Sequence, residues 1–379
     1  MRLGVYTDYP YQQLDDGVYA ERAFAVFLAR LAPRFERFTV IGRLAPPSGR
    51  GRYPLGESVE FVPLPYYPSL SEPLPVLRAM FGSIGRYWRA LKQIDAVWLL
   101  GPHPVSFLFA ALAILRRKRV VLGVRQDLPE YVRNRRPGRR MLLLSAWILE
   151  LGFRALGRFC AVIAVGPTLA DHYRHSRRLL QLTVSLVETS MLVEPGSAPQ
   201  RYDGQLNVLS VGRLDAEKNP LMLADVLALL VERDRRWRLI VCGEGTLADG
   251  LAERLRELGI EGNAELRGYV PQDGGLADLY RESQMLLHVS WTEGLPQVLF
   301  EAFAAALPVV ATDVGGVREA TGDAVTLVPA GDPEAAAGAL QELVTDDALR
   351  ERRVRAGHSL VSTATIEAEC ERVTEFLGG

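Results

Sequence analysis

Cysteine is scarce in this chain. Cys160, Cys242 and Cys370 lie far apart with no C-x-x-C spacing. That excludes a disulfide or zinc framework and leaves three small apolar side chains in a reducing compartment. The five histidines show no metal-ligand spacing, and no D-x-D motif follows a strand-like run, so neither a metal nor another cofactor is expected. No run of 18 apolar residues occurs, which excludes a membrane-spanning helix. Met1-Arg2 leads straight into the strand-like LGVYT, so no secretory leader is expected and the protein is placed in the cytoplasm. The arginine clusters lack interleaved aromatics, which argues against nucleic acid as a partner. No Ser/His/Asp or Cys/His constellation marks a protein nucleophile.

What the chain has is length and an uneven charge. At 379 residues, with 48% apolar and 23% charged side chains, it is an ordinary globular protein too long for one core. Its formal net charge of −1 hides two opposed halves. Residues 1–187 hold 27 Lys/Arg against 13 Asp/Glu, while the remainder holds 17 against 32. The basic half should face something anionic: a phospholipid surface, a lipid pyrophosphate or an acidic glycan.

Both halves alternate short apolar runs with longer amphipathic stretches, the pattern of parallel sheets wrapped by helices. Strands are predicted at 3–7, 38–41, 59–62, 96–100, 120–124 and 161–165, then at 207–211, 239–242, 265–267, 285–289, 309–312 and 325–328. The stretch 188–205, rich in Pro, Gly and polar residues, reads as a linker. The expected fold is α/β, with two doubly wound Rossmann-like domains facing each other across a cleft and ligands at the carboxyl ends of the strands.

Ser290–Gly316, SWTEGLPQVLFEAFAAALPVVATDVGG, reads as loop, helix and buried strand in succession. Pro296 suits the first turn of a helix, where its missing N–H costs nothing. The unpaired amides around Gly294, Leu295, Pro296, Gln297 and Val298 make a cradle for an anion. Glu293 and Glu301 flank that cradle, and carboxylates beside an anion are tolerable only if they meet neutral hydroxyls. Phosphate at one end and hydroxyls beside it describe a nucleotide sugar.

This segment resembles the E-x7-E signature of the retaining glycosyltransferases of the GT-B fold, family 4, also called glycosyl transferases group 1. The resemblance implies that Glu293 lies beside the donor hexose and Glu301 binds the nucleotide ribose. Gly212-Arg213-Leu214 through Lys218-Asn219 matches the family's donor-phosphate motif, so Arg213 and Lys218 are expected to neutralise the departing diphosphate. Gly243 and Gly245 stand where the family has a glycine turn that lets backbone approach the ligand. Tyr269 and Val270 fall where the family meets the base. Ala306 replaces a glycine usual in the family. The implied layout is an acceptor-binding domain at 1–190, a nucleotide-sugar domain at 191–364, and a last helix at 365–379 crossing back to the first domain.

The amino-terminal half is less explicit. Gly17 is expected at the first strand-to-helix turn, where many relatives carry two glycines against donor phosphate. After the strand at 120–124 the family often shows His-Asp, but this chain reads Arg125-Gln126-Asp127. Gln cannot act as a base, so that role does not transfer. Asp127 remains a catalytic candidate and Arg125 an acceptor-binding one, with a structural ion pair as the alternative. His103, in G-P-H-P, is a further acceptor-side candidate or merely a loop histidine. Two basic clusters, Arg116–Arg119 and Arg133–Arg140, and the apolar run from Met141 are expected to meet an anionic membrane face, peripherally; a core helix with solvated arginines is the alternative. The reading is a metal-independent hexosyltransferase using a UDP- or GDP-sugar and a glycan or lipid-linked acceptor. Two alternatives remain, a nucleotide-sugar 2-epimerase of the same fold and a degenerate binding partner.

Overall fold

A computed structural model describes the chain apart from residues 48–52, 69–72, 136, 137, 184, 198–201, 272, 273 and 379, and apart from the side chains of 73, 134 and 135. It divides into two units: Met1–Val184 with Ile366–Gly379, and Ser185–Thr365.

The first unit is built on β1 (Arg2–Leu14), β2 (Gly17–Ala20), β3 (Arg37–Leu44), β4 (Tyr53–Pro54), β5 (Glu60–Leu64), β6 (Ala96–Gly101), β7 (Arg119–Val124), β8 (Ala161–Val165) and β9 (Arg178–Leu182). The parallel order is β5-β3-β1-β6-β7-β8-β9, with β2 and β4 added antiparallel beside β1. Strands such as β7 and β8 are nearly continuous apolar runs because helices cover both faces. On one face lie α2 (Pro73–Ala90), α3 (Pro104–Leu115) and α5 (Arg140–Gly157), following α1 (Phe24–Leu31) and with α4 (Leu128–Arg135) leading into α5. Tyr87, Phe109 and Phe153 bring α2, α3 and α5 into one buried cluster. Phe24 of α1 instead meets Trp98 of β6 edge-on at 6.0 Å. The helix Ile366–Gly378 packs on α1 and β9; Arg372 donates to the Gln181 carbonyl at 2.7 Å and Arg178 to the Phe376 carbonyl at 3.1 Å.

One expectation is corrected here. Gly17 does not sit at a strand-to-helix turn. β1 runs on to Leu14 and returns through a tight hairpin that pairs Leu14 with Gly17. Tyr11 and Gln12 are buried, at 0% and 5% exposure, and the segment is held extended by its pairing with Gly17–Ala20.

The second unit holds β10 (Leu206–Val211), β11 (Trp237–Cys242), β12 (Ala264–Gly268), β13 (Met285–His288), β14 (Val309–Thr312) and β15 (Val325–Val328). They pair in parallel in the order β12-β11-β10-β13-β14-β15, the doubly wound arrangement whose switch point falls between β10 and β13. Successive residues of β11 enter opposite cores, Leu239 and Val241 on one side, Ile240 and Cys242 on the other. Among the described residues, no helix is long and apolar enough to cross a membrane.

Candidate functional site

The loops leaving β10, β11 and β12 are laced together by their backbones. Gly212 N–H donates to the Cys242 carbonyl at 3.0 Å, Leu214 to Glu244 at 2.9 Å, and Gly243 to Gly268 at 2.7 Å. A Cβ at Gly243 would lie 1.7 Å from the Gly212 oxygen, and one at Gly245 2.4 Å from Leu214 backbone. These glycines therefore permit loop to approach loop, at the turn where the sequence led us to expect close approach to a ligand. Gly212 itself has open space where a side chain would stand.

On this scaffold, at the switch point, Lys218 after β10 meets Glu293 after β13. Their ion pair is mostly buried, with the lysine side chain 23% and the glutamate 8% exposed. His288 Nε2 lies 2.8 Å from the same carboxylate oxygen, and Ser290 Oγ donates to it at 2.7 Å. Ser290 is in turn clamped by Thr312, whose Oγ1 accepts from Ser290 N–H at 3.0 Å and donates to Ser290 O at 2.9 Å. Gly315, at φ +55°, brings the next loop against Glu293, where a Cβ would stand 1.9 Å from the Glu293 backbone carbonyl oxygen. Burial opposes the charge on Glu293, yet the bonds from His288 and Lys218 hold its carboxyl down at about 2. The residue is a fixed anion. His288, Ser290 and Thr312 escaped the sequence reading. Their only trace there is polar side chains in an otherwise apolar strand end.

Arg213 points back to its own loop, pairing with Asp215 and, at 2.6 Å, with Glu217, and is 52% exposed. Trp291 N–H bonds the Glu217 carbonyl at 3.0 Å, tying that loop to the Glu293 loop. The helix Gln297–Ala304 starts after Pro296, which occupies the N-cap rather than the first helical turn, with no side chain capping it. Its first amides therefore remain suited to an anion. Gly294 is exposed, and Leu295 and Val298 pack against the core cluster around Phe300. Glu301, one turn into the helix, accepts from the Tyr280 hydroxyl at 2.7 Å and lines a small pocket with Val187, Met191, Leu276 and Ala305. Burial pushes its carboxyl up, with the Tyr280 bond acting against the shift. Val270 packs on the apolar cluster of this unit, and Tyr269 is half exposed.

The acceptor-side candidates lie in the first unit. His103 is the N-cap of α3, its Nδ1 accepting from Val105 N–H at 3.3 Å. Its Nε2 faces Asp8 at 3.3 Å, and burial holds its pKa low, so the ring is neutral and donates through Nε2. Asp8 lies where β1 slips register between Tyr6 and Pro10, a bulge that turns its carboxylate into a ring of donors. Arg43 pairs with it and donates from Nη2 at 3.3 Å, Tyr6 donates at 3.4 Å, and Tyr67 also donates to it. Asp8 sits at the bulge within β1, and Arg43, Tyr67 and His103 end or follow β3, β5 and β6, the switch-point edge of the first sheet. Arg125 lies over the Phe24 ring at 4.0 Å and bonds the Tyr9 hydroxyl. Asp127 caps α4 by accepting from Glu130 N–H at 2.8 Å and faces His172 at 3.4 Å. Of the second basic cluster, Arg136 and the Arg135 side chain lie outside the described residues.

Residues 197–359 match the family model of glycosyl transferases group 1. Among curated proteins, the chain is 34% identical to the D-inositol 3-phosphate glycosyltransferase of Corynebacterium efficiens over 41% of its own length and 38% of that relative's. It is 32% identical to the protein of the same name from Thermobispora bispora over 52% of each chain. It is 31% identical to an amylovoran biosynthesis glycosyltransferase of Erwinia amylovora over 40% of this chain and 42% of that one. The chain thus spans two fifths to half the length of the curated relatives it matches. Among solved structures, it superposes on Anabaena HepE in complex with UDP with a TM-score of 0.72 at 16% identity, over all of both chains. The sucrose-phosphate synthase of Thermosynechococcus elongatus gives 0.73 at 16% identity, over 100% of this chain and 98% of that one. The lipopolysaccharide glycosyltransferase WaaG gives 0.64 at 17%, over all of both chains. The fold is GT-B, two Rossmann-like units with parallel sheets.

Proposed function

We propose that the chain is a retaining glycosyltransferase that moves a hexose from a UDP- or GDP-sugar to a glycan or lipid-linked acceptor without a metal ion. The observation that carries this reading is the Lys218–Glu293 pair, buried at the β10/β13 switch point beside an uncapped helix start. Lys218, Arg213 and the helix amides supply the positive charge that a departing nucleoside diphosphate needs as it forms. On donor binding the phosphate shares Lys218 with Glu293, whose remaining lone pairs accept from hexose hydroxyls. Glu301, aimed with Tyr280 at a separate small pocket, accepts from the ribose. Solved complexes of Anabaena HepE with UDP and with UDP-glucose support a uridine donor for this fold. Asp8, Arg43 and Tyr67 provide the acceptor side with a carboxylate and donors at the matching edge of the first sheet.

The test is release of nucleoside diphosphate from a panel of UDP- and GDP-sugars with and without EDTA. Turnover that survives EDTA is expected. Turnover abolished by EDTA and restored by Mg²⁺ would overturn metal independence. Absence of both turnover and donor-dependent thermal shift across the panel would favour a non-catalytic binding partner.

A further inference from the structure

Three helices of the first unit are apolar on both sides. α3 lies between the other two: Phe109 stacks on Tyr87 of α2 at 3.8 Å, and Phe107 meets Phe153 of α5 at 5.5 Å. Their inner sides fill one core cluster. Their outer sides should then be polar, as on a surface helix of a soluble domain. Instead α2 exposes Leu77 and Phe81, at 50% and 73%. Leu115 closes α3 at 71%, and α5 shows Leu144, Ile148 and Leu151 at 62%, 62% and 58%. Residues 144, 148 and 151 share one face of a helix, so this is a stripe, not scatter.

The exposed charges on these three helices have one sign. No acidic residue occurs in Pro73–Ala90 or Pro104–Leu115. The single one in Arg140–Gly157, Glu150, is fully buried and accepts from Arg154 at 2.9 Å and Tyr173 at 3.0 Å. Arg116, stacked over Trp88 at 3.8 Å, begins the basic turn that ends α3, and Arg139 and Arg140 begin α5. An apolar stripe fringed by cations fits a lipid bilayer with anionic headgroups. It does not fit a second copy, since two such faces would set arginine against arginine.

We infer that the outer face of the α2–α3–α5 layer docks on an anionic phospholipid surface. The apolar stripe enters the headgroup–acyl boundary and the flanking arginines hold lipid phosphates, without any helix spanning the bilayer. One link rests on the proposed function: the docked unit is the one assigned to a lipid-linked acceptor. The docking itself needs no donor and is measured without one.

Flotation of the purified full chain with vesicles tests this directly. Mixed phosphatidylglycerol/phosphatidylcholine vesicles at low salt should carry the protein, and phosphatidylcholine alone should carry little. Binding should fall as salt rises, since screening shortens from about 10 Å at 0.1 M to about 3 Å at 1 M. The triple variant Leu77→Ser/Phe81→Ser/Ile148→Ser should lose membrane partitioning by about tenfold or more, as should Arg139→Ser/Arg140→Ser. Circular dichroism matching the wild type certifies that each is folded. Should a variant fail to fold, the wild-type protein still decides. Trp147, 38% exposed on α5, should blue-shift its emission with anionic vesicles, and Trp147→Phe should remove that shift. Equal binding to neutral and anionic vesicles, or no binding and no blue shift, overturns the inference. So does a wild-type dimer that the triple variant dissociates while vesicles capture neither.

Discussion

Glu293 receives three donors on one carboxylate oxygen, and this decides both its charge and its vulnerability. Because its carboxyl is held at about 2, the stabilisation it confers is complete above the ordinary carboxylate value near 4.5 and is lost as pH falls from there towards 2. Lys218, the proposed donor-site cation, is therefore also a structural partner. Lys218→Ala should abolish most transfer and also lower the stability of the second unit by roughly 1–3 kcal/mol, because it leaves a buried charge with one partner fewer. Arg213→Ala should reduce transfer comparably with an unchanged melting temperature, since the side chain is exposed and its pairs lie within its own loop. Thermal melts beside single-turnover assays separate the two. Turnover near wild type in both variants would sink the donor-site assignment. His103 teaches the opposite lesson: its Nδ1 is spent on capping α3 and its Nε2 faces Asp8, so both ring nitrogens are engaged within the fold.

Helix ends are where elements of this protein deviate from ideal sequence. α3 closes in a left-handed turn at Arg117, φ +55°, with Arg117 N–H bonding Ile114 O at 2.8 Å and Lys118 N–H bonding Ala113 O at 2.8 Å. Glycine is the residue this geometry prefers. Arg117→Gly should therefore raise stability by about 0.5–1 kcal/mol, read as a higher denaturant midpoint. A lower midpoint would show that the guanidinium makes a contact worth more than the backbone strain. Ala306, where the family usually carries glycine, adopts the same geometry at φ +55° with bonds from Ala306 to Phe303 and from Leu307 to Ala302. The methyl is thus accommodated. In the final helix, Glu369 takes Thr183 N–H and Arg372 on one oxygen while the other is buried with no hydrogen-bond partner among the described residues. Burial raises this carboxyl to about 7, against the pull of Arg372. A raised acid stabilises the fold below its ordinary value near 4.5 and loses that contribution as pH climbs through 7. Glu369→Gln should flatten the pH dependence of stability between about 4.5 and 7, where roughly 3 kcal/mol is at stake. An unchanged profile from urea titrations across that range would contradict a protonated Glu369.

At the scale of the molecule, the net charge near zero is the sum of a basic and an acidic half. The proposed division of labour predicts separable kinetics. Asp8→Asn should raise the acceptor KM and lower kcat at least about tenfold while leaving the Kd for free nucleotide within about twofold, because it removes one charge-assisted contact on the acceptor side alone. Glu301→Ala should weaken free-nucleotide binding measured by calorimetry and leave the acceptor KM unchanged. If both variants disturb nucleotide affinity alike, the assignment of one substrate to each unit is wrong.

How much of this was legible in the chain depends on range. All twelve strands read from the sequence are present, most of them because a strand covered on both faces must be apolar throughout and so announces itself locally; the partly exposed β12, with Glu265 and Arg267, is an exception. The hairpin at Gly17 and the strands β4 and β9 were missed; two are short edge pairings and the third, Arg178–Leu182, is broken by Gln181. Arg213, Lys218, Glu293 and Glu301 could be named because their segments resemble the family's donor-site motifs; the residues by themselves left Arg213 and Lys218 open to an ordinary solvated role. What the sequence alone could not tell was their partners. Lys218 meets Glu293 across 75 positions, and Asp8 gathers Arg43, Tyr67 and His103 from three other strand ends. Gly243 and Gly245 read the same whether ligand or loop comes close, and the apolar stripe of α2 reads the same whether it faces core or solvent. Local chemistry is written in the order of residues. Which groups end up within 3 Å of one another is decided by the packing of distant elements, and only the tertiary structure could supply it.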